Sequence, residues 1–341
     1  MTDLAPSKLA IGMTSLTATF CSSSVGEKLM NIYSLCCCSE GEIGLASSSS
    51  GCKSAAVEQK GKDVETERAE QERRLKTWMS KIRHKIVVLS GKGGVGKSTV
   101  TANLGTALAS RDRGARVGVL DADITGPSIP KMLGVRGQRL DIGLPGIFPV
   151  IGPLDMRIVS MDFLLPSDET PVIWRGPLKS MAIKQFLADV VWGDLDFLLV
   201  DLPPGTGDEA LTIMQSIPNI GGVVIVTIPS EVSQVVVKKA VTFTRQLGAP
   251  VLGIVENMSG FVCPKCGGET SIFKTGGGQK IAEELGVRFL GRIPLDPRIC
   301  EDSDDGTPFI LRHRDSPAAT AFIEIVEKIN GLVESAPIKK P

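Results

Sequence analysis

The sequence has few aromatic residues and no net charge. Phe, Trp and Tyr make up 4% of its 341 residues, while Lys+Arg and Asp+Glu each number 38. Because a balanced chain has no global basic field for binding phosphate backbones, nucleic acid is excluded as the main partner. The remaining composition, with 42% hydrophobic residues, 37 Gly and 21 Pro, is that of a globular protein rich in turns and excludes wholesale disorder.

Long apolar runs and export signals are also missing. No stretch approaches the roughly 18 uninterrupted apolar residues that a membrane-spanning helix needs, and the most apolar one, 221–229, predicts a short buried strand. The first twenty residues lack the basic start and compact apolar segment of a secretory signal. The eight cysteines are too sparse for a disulfide scaffold in a chain of this length. The sequence therefore predicts a cytoplasmic protein with no membrane partner.

Composition divides the chain into four parts. Residues 1–57 are rich in Ser, Ala and Gly and show no sustained period, which predicts an unstructured extension. More than half of residues 58–85 are charged, which predicts a solvated helix leading into the core. Residues 86–333 form the predicted domain, with an inserted cysteine pair at 263–266, and residues 334–341 are a tail.

Short apolar runs alternate with helical segments throughout residues 86–333. The first strand, 86–90, is followed by a glycine-rich loop and a helix over 97–110. Further strands are predicted over 116–120, 157–161, 197–200, 223–227, 251–255 and 288–291, and further helices over 178–191 and 232–247. This alternation predicts an α/β fold with a doubly wound, mostly parallel sheet. Because ligands of such sheets bind beyond the carboxyl ends of the strands, the loops there are the candidate site.

The glycine-rich loop after the first strand fits G-x-x-x-x-G-K-[ST] and opens a helix, which is the context this phosphate-binding motif requires. Its backbone N–H groups can surround phosphate oxygens, Lys97 can reach the β- and γ-phosphates, and the Ser98 hydroxyl can bind Mg²⁺. The motif predicts a P-loop NTPase with ATP and Mg²⁺ as cofactors. The predicted nucleotide-binding residues here are Gly91, Lys92, Gly93, Gly94, Val95, Gly96, Lys97, Ser98 and, supporting the α-phosphate, Thr99.

Two predicted strands end in acidic residues beside this loop. Asp121 and Asp123 are two residues apart and should point in similar directions, and Asp201 follows the strand 197–200. Asp201 is predicted to hold Mg²⁺ or its water, and Asp121 to support the magnesium site or its hydrogen bonds. Since phosphoryl transfer mostly needs positioning, a carboxylate that aligns water suffices, and Asp123 is the candidate. A turn or helix cap is the alternative for Asp123.

Lys92 turns the run 92–98 into a deviant form of the phosphate-loop motif. The run resembles that of the nitrogenase iron protein and of the septum-site and chromosome-partitioning ATPases, whose extra lysine reaches across a dimer interface toward the partner's nucleotide. The resemblance implies a catalytic role for Lys92 in a homodimer. It also implies that Asn257 bonds adenine and that Pro294 lines the base pocket. From the residues alone, a solvated lysine and a plain turn asparagine stay open.

Cys263 and Cys266 form a C-x₂-C pair. Two thiolates can share one metal centre, but zinc or an iron–sulfur cluster takes about four protein ligands. A two-fold dimer would bring two such pairs together and complete the set. On spacing alone, an iron–sulfur cluster, half of a zinc ribbon and a redox disulfide all stay open.

Together these motifs resemble those of the Mrp/ApbC-type iron–sulfur cluster carrier ATPases, which are relatives of the eukaryotic cytosolic cluster-assembly scaffolds. The resemblance implies a [4Fe–4S] cluster held between two subunits by Cys263 and Cys266 and passed to apoproteins, with ATP binding and hydrolysis biasing its assembly or release. It covers about residues 85–311 and rests on 90–99, 121–130, 174–177, 201–208, 256–260, the cysteine pair and 294–298.

The remaining cysteines and histidines carry no predicted site. The scaffold relatives have a C-x₁₃-C-x₂-C-x₅-C motif, which the amino-terminal cysteines here do not reproduce, so they are predicted to be incidental thiols. Cys300 is predicted to be a small buried residue, and His84 and His313 to be solvated. The amino-terminal cysteines are Cys21, Cys36, Cys37, Cys38 and Cys52.

Two other functions stay open. One is a partitioning or septum-site ATPase, which would be expected to carry an amphipathic basic helix that the residues after Val333 lack. The other is a zinc-stapled regulatory ATPase, in which the cysteine pair binds a structural zinc ion and no cluster is carried. It stays open because soft thiolates accept zinc as readily as iron.

Overall fold

The computed structural model describes residues 53–111, 114–164, 176–263 and 266–335. Residues 1–52 and 336–341, on which most of the predicted extension and tail fall, lie outside this range. The strands are β1 (Ile82–Ser90), β2 (Val117–Asp121), β3 (Asp141–Gly143), β4 (Gly146–Phe148), β5 (Val150–Ile151), β6 (Arg157–Ser160), β7 (Leu195–Asp201), β8 (Gly222–Thr227), β9 (Val251–Glu256), β10 (Phe261–Val262), β11 (Glu269–Thr270) and β12 (Phe289–Arg292).

The helices connect these strands in the order that the sequence pattern indicates. Two short 3₁₀ helices, Pro153–Asp155 and Met161–Leu164, flank β6. The α-helices are α1 (Lys53–Ser80), α2 (Lys97–Ala109), α3 (Ile129–Met132), α4 (Gly176–Asp189), α5 (Asp208–Ser216), α6 (Glu231–Gln246), α7 (Gly277–Leu285), α8 (Pro297–Asp305), α9 (Phe309–Arg312) and α10 (Pro317–Ser335).

Eight strands form the central sheet, in the order β12-β9-β8-β1-β7-β2-β6-β5. All neighbouring strands are parallel except β5 and β6, which are antiparallel. The chain builds the sheet from β1 toward β5, returns to β7, and then builds toward β12. The prediction of a doubly wound, mostly parallel sheet is therefore confirmed. The winding reverses beside β1 and β7, so a crevice for a ligand is expected beyond the carboxyl ends of these two strands.

The core of the molecule lies around the central strands, which are buried on both faces. Every residue of β8 is buried, and residues 86–89 of β1 are fully inaccessible. Such continuous apolar runs are typical of parallel strands that are covered on both sides. The rigid centre of the sheet thus supports the loops at its carboxyl edge.

The first helix and strand differ from the prediction at their boundaries. The helix α1 begins at Lys53, inside the predicted extension, and ends at Ser80, so β1 begins at Ile82 rather than at residue 86. Lys85 is buried and donates from Nζ to the carbonyl oxygens of Met79 and Ile82, at 3.1 and 3.2 Å. Lys85 counts among the charges that predict a solvated helix over 58–85. Its ammonium group instead caps the carboxyl end of α1, where cations are favoured. Burial lowers the pKa of Lys85.

The sequence pattern does not reveal the smaller elements at the sheet edge. A hairpin of β3 and β4 and the two-residue strand β5 are too short to show a period. At the carboxyl end of the described chain, α10 packs on α2 and β12. Within the described ranges, no helix combines the length and the apolar character needed to cross a membrane.

Candidate functional site

The phosphate loop lies between β1 and α2, at the crevice of the sheet. Gly96 adopts left-handed backbone with a φ of 77°, which side chains rarely tolerate. Gly91 packs against α6, and a Cβ at position 91 would come within 2.7 Å of the Val236 carbonyl oxygen. A Cβ at Gly94 would meet nothing within 4 Å, so the loop faces open space there. The left-handed backbone therefore accounts for the glycine at position 96, and the close packing against α6 accounts for the one at position 91.

Asp201, at the end of β7, is fully buried and accepts hydrogen bonds from three residues of α2. Lys97 Nζ and Ser98 Oγ each lie 2.6 Å from Oδ2, and Thr101 Oγ1 lies 2.6 Å from Oδ1. Lys97 is buried as well, so this ion pair is withdrawn from water. The sequence prediction missed Thr101, although it lies one turn after Lys97 and therefore on the same face of α2.

Asp121 is the neighbour of Asp201 in the sheet and holds the turn that follows β2. Its Oδ2 accepts from the backbone N–H groups of Ser128 and Ile129, at 3.1 and 3.3 Å, and from Ser160 Oγ at 3.2 Å. Burial first, and then the charge of Asp201, raise the pKa of Asp121 to about 8, against the opposing effect of Lys97. These bonds match the predicted role of Asp121 in the local network.

Asp123 lies in that turn and is partly exposed. Its Oδ1 accepts from Thr125 Oγ1 at 3.0 Å and from the Gly126 N–H at 3.3 Å. Such bonds to residues two and three positions later are typical of a turn-forming aspartate. The alternative turn geometry is therefore present, and the alignment of water by Asp123 stays a prediction.

The two turns predicted to form the base pocket lie side by side. Asn257, just after β9, is buried and donates from Nδ2 to the Val95 carbonyl oxygen of the phosphate loop, at 2.9 Å. The N–H of Ser259 donates to Ile293, and the N–H of Leu295 donates to Gly260, at 2.9 and 2.7 Å. These bonds join the Asn257 turn to the one that contains Pro294. The structure thus brings together both predicted walls and the phosphate loop.

Lys92 and Thr99 are both partly exposed in the phosphate loop and the first turn of α2. The Lys92 carbonyl oxygen accepts from Ser90 Oγ at 3.0 Å, which fixes the backbone from which the side chain leaves. The Thr99 carbonyl oxygen accepts from Asn103 Nδ2 at 2.9 Å. Neither contact tests the predicted role of the side chains.

The cysteine pair lies in the tight turn between β10 and β11. The Cys263 N–H donates to the Gly268 carbonyl oxygen at 3.0 Å, and the Gly267 N–H donates back to Cys263 at 2.9 Å. Cys263 is half-buried, Cys266 is exposed, and neither forms a disulfide. We call this element, residues 261–270, the cysteine hairpin. It leaves the sheet directly after the Asn257 turn, on the same edge as the phosphate loop.

The hairpin offers two thiols, Cys263 and Cys266, as candidate metal ligands. In the part of the chain that the structure describes, no group of three or more His, Cys, Asp or Glu side chains could hold a metal ion. Since zinc and iron–sulfur clusters take about four protein ligands, one chain offers half of such a site within these residues.

Three residues without a predicted site lie in other environments than expected. Cys300, on α8, is exposed rather than buried, because it lies on the outer face of that helix. His84 is buried against Phe197, with 5.2 Å between ring centroids, and burial lowers its pKa. His313 is half-buried, with Nε2 at 3.1 Å from Asp302 Oδ2. The amino-terminal cysteines, Trp174 and Arg175 lie outside the described residues.

The reversal of the sheet winding, the phosphate loop and the acidic ends of β2 and β7 together define a P-loop nucleotide-binding protein. The match to a family model is more specific: the ParA model described as NUBPL iron-transfer P-loop NTPase covers residues 81–330, and the chain belongs to that family. The resemblance to the Mrp/ApbC-type carriers is confirmed at this level.

Proteins of similar sequence align with most of the chain. An iron-sulfur cluster carrier protein of Methanocaldococcus jannaschii is 58% identical over 266 residues, which are 78% of this chain and 90% of that protein. One of Saccharolobus solfataricus is 57% identical over 257 residues, or 75% of this chain and 86% of that protein. A solved nucleotide-binding protein from Archaeoglobus fulgidus, in complex with ADP and with cobalt found by PIXE, is 40% identical with a TM-score of 0.64, covering 74% of this chain and 96% of that one.

Proposed function

We propose that this protein is an ATP-binding and ATP-hydrolysing carrier that holds a [4Fe–4S] cluster between two copies of the chain and passes it to apoproteins. The observation that carries the proposal is the cysteine hairpin, which offers half of a four-thiol site on the same edge as the phosphate loop. The relatives named iron-sulfur cluster carrier proteins support it, and they match over three quarters of the chain or more.

The nucleotide half of the proposal rests on the chemistry of the buried charges. The Lys97 ammonium is paired with Asp201 and lies at the start of α2, so a bound phosphate anion competes with the carboxylate for it. The amino end of α2 adds backbone N–H donors that favour an anion. Asn257 uses one of its amide hydrogens on Val95, which leaves the other hydrogen and its oxygen to recognise adenine.

The oxygen donors at the loop fit a magnesium ion. Ser98 Oγ and Asp201 Oδ2 lie 2.6 Å apart and are a hydroxyl and a carboxylate, the oxygen ligands that Mg²⁺ takes in nucleotide sites. When bound, Mg²⁺ neutralises charge on the phosphates. In the proposal Asp123 aligns the attacking water, and Lys92 reaches the nucleotide of the partner copy.

The cluster half of the proposal assigns Cys263 and Cys266 of each copy as the four ligands of the cargo. Exposure of Cys266 suits transfer, since an acceptor must reach the cluster. We place the carrier in the cytoplasm because thiolates must stay reduced to accept a cluster. The cysteine hairpin also separates this proposal from a positioning ATPase, which needs no thiol pair.

Anaerobic reconstitution with iron and sulfide tests the proposal. We expect about four irons and four sulfides per two chains, the content of one [4Fe–4S] cluster. Both should be lost in the double variant Cys263→Ala, Cys266→Ala and retained in Cys300→Ala, which removes another exposed thiol. Bound zinc that iron does not replace would favour the zinc-stapled ATPase instead.

A further inference from the structure

We propose that Glu256 is a positioning residue that couples the nucleotide loop to the cysteine hairpin, an inference that rests on the proposed function. Glu256 is the last residue of β9 and is fully buried. The chain leaves the sheet after it, forms the cysteine hairpin, and returns at α7. We call residues 259–276, between these two points, the cysteine excursion.

One carboxylate closes both ends of the cysteine excursion. At the departing end, Ser259 Oγ donates to Glu256 Oε1. At the returning end, the Gly276 N–H donates to the same oxygen at 2.9 Å, and the Gly278 N–H donates to Oε2. A buried carboxylate requires such donors, because its charge has no water to solvate it. The Glu256 side chain therefore holds the two ends of the cysteine excursion together.

The glycine triplet at the start of α7 follows from this arrangement. Gly276 has left-handed backbone with a φ of 82°. A Cβ at Gly278 would lie 3.0 Å from both Oε2 and Cβ of Glu256, so α7 packs closer to this side chain than most Cβ contacts allow. The amino end of a helix favours a negative charge, which stabilises the carboxylate at this place. We call the bonds of the Glu256 carboxylate to Ser259, Gly276 and Gly278 the Glu256 clamp. The glycine triplet, for which the sequence alone offers no role, allows α7 to come close enough to form it.

The nucleotide side of the coupling begins at the next residue. Asn257 donates to Val95 in the phosphate loop, and its own N–H donates to Thr227 at 2.8 Å. Two residues later, Ser259 bonds both Glu256 and the backbone of Ile293. A nucleotide that changes the Asn257 contact therefore acts on the segment 257–260. The other bonds that hold this segment are those of Ser259 to Glu256 and Ile293 and that of Gly260 to Leu295. The segment runs from the Val95 contact to the start of β10, and Cys263 follows β10 directly.

The test measures how a non-hydrolysable ATP analogue changes the alkylation rates of Cys263 and Cys266 in the full, reduced chain. Peptide mass spectrometry reports each thiol separately, and Cys300 serves as the internal reference. We expect the analogue to slow the two rates at least about fivefold in the unmodified chain, the low end of ordinary coupling between sites. The measured ratio is the alkylation rate without the analogue divided by the rate with it. In Glu256→Gln, an amide N–H₂ faces a backbone or hydroxyl donor, and this ratio should fall below about twofold.

Glu269→Gln is the matched control, because it makes the same change at an exposed position of the cysteine hairpin itself. It should keep the ratio of the unmodified chain. Calorimetry should show the same affinity for the analogue in all variants, which separates lost coupling from lost binding. If Glu256→Gln does not fold by circular dichroism, Ser259→Ala removes one donor, keeps the carboxylate, and should lower the ratio at least about twofold.

The inference is overturned if the analogue leaves the two rates unchanged in the unmodified chain. It is also overturned if the folded clamp variant keeps the full ratio. Iron and sulfide content of the reconstituted unmodified chain separates the two proposals. A chain that shows the coupling but takes up no cluster refutes the carrier function alone, and a chain that takes up the cluster without the coupling refutes only the role of Glu256.

Discussion

Among single residues, Asp201 connects the central sheet to the phosphate loop. It accepts from Lys97, Ser98 and Thr101 while it is fully buried. We expect Asp201→Asn to lower the free energy of unfolding by about 3–5 kcal/mol, because the substitution leaves the buried Lys97 ammonium without its counter-charge. Urea unfolding followed by circular dichroism measures this loss.

The matched control for that prediction is Asp196→Asn in the same strand. Asp196 pairs with Arg116 at 3.3 Å, and the two side chains are 31% and 57% exposed. Because solvent screens such a pair, its removal should cost at most about 1 kcal/mol. Equal losses in the two variants would contradict the account of Asp201.

A second prediction at this scale distinguishes the two roles of Asp123. Asparagine forms the same turn as aspartate, so Asp123→Asn should leave the fold and the nucleotide affinity intact. If Asp123 aligns the attacking water, phosphate release should slow roughly a hundredfold, the low end of what a positioned acid or base contributes. Unchanged turnover in a steady-state phosphate assay would make Asp123 a turn residue only.

Among the secondary-structure elements, α7 is placed by the glycines at its start. Gly278→Ala should lower the free energy of unfolding by about 1–3 kcal/mol, because the new Cβ meets Glu256 in a packed site. Gly331 in α10 has open space around it, so Gly331→Ala should instead raise the free energy of unfolding by about 0.4–1 kcal/mol. Thermal and urea unfolding of both variants would show the opposite signs. A Gly278→Ala chain as stable as the unmodified one would contradict the close packing of α7 on Glu256.

The elements also show why part of the fold was predictable. The apolar runs of β7 and β8 are buried on both faces, and such runs indicate parallel strands without knowledge of their partners. The start of β1 was not predictable in this way, because Arg83 and Lys85 interrupt its run and only the contact with the end of α1 accounts for Lys85. Strand β5 gains its place from one antiparallel partner rather than from a pattern of its own.

For the whole molecule, topology gathers the site from segments distant in sequence. The phosphate loop could be predicted because its motif carries its own geometry in consecutive residues. Thr101, Ser160 and Glu256 could not, because each is a polar residue with a partner distant in sequence that becomes adjacent only when the chain folds. Asn257 and Pro294 required the resemblance to related ATPases, since their proximity depends on bonds between two separate turns.

The proposed carrier is complete only as two copies. Each chain offers one cysteine hairpin, and within the described residues no third ligand joins Cys263 and Cys266. If a two-fold axis brings the hairpins of two copies together, Cys263 and Cys266 of each copy supply four sulfurs in all. In the proposal, the nucleotide acts on that pairing through Lys92, which lies in a loop on the same edge of the sheet.

Native mass spectrometry of the anaerobically reconstituted protein with a non-hydrolysable ATP analogue tests this central claim most directly. We expect a species of two chains with one [4Fe–4S] cluster and two nucleotides. When Cys263 and Cys266 are both replaced by alanine, the two chains should still associate but should carry no cluster. A single chain that carries metal by itself, or a pair of chains that retains iron without these cysteines, would contradict it.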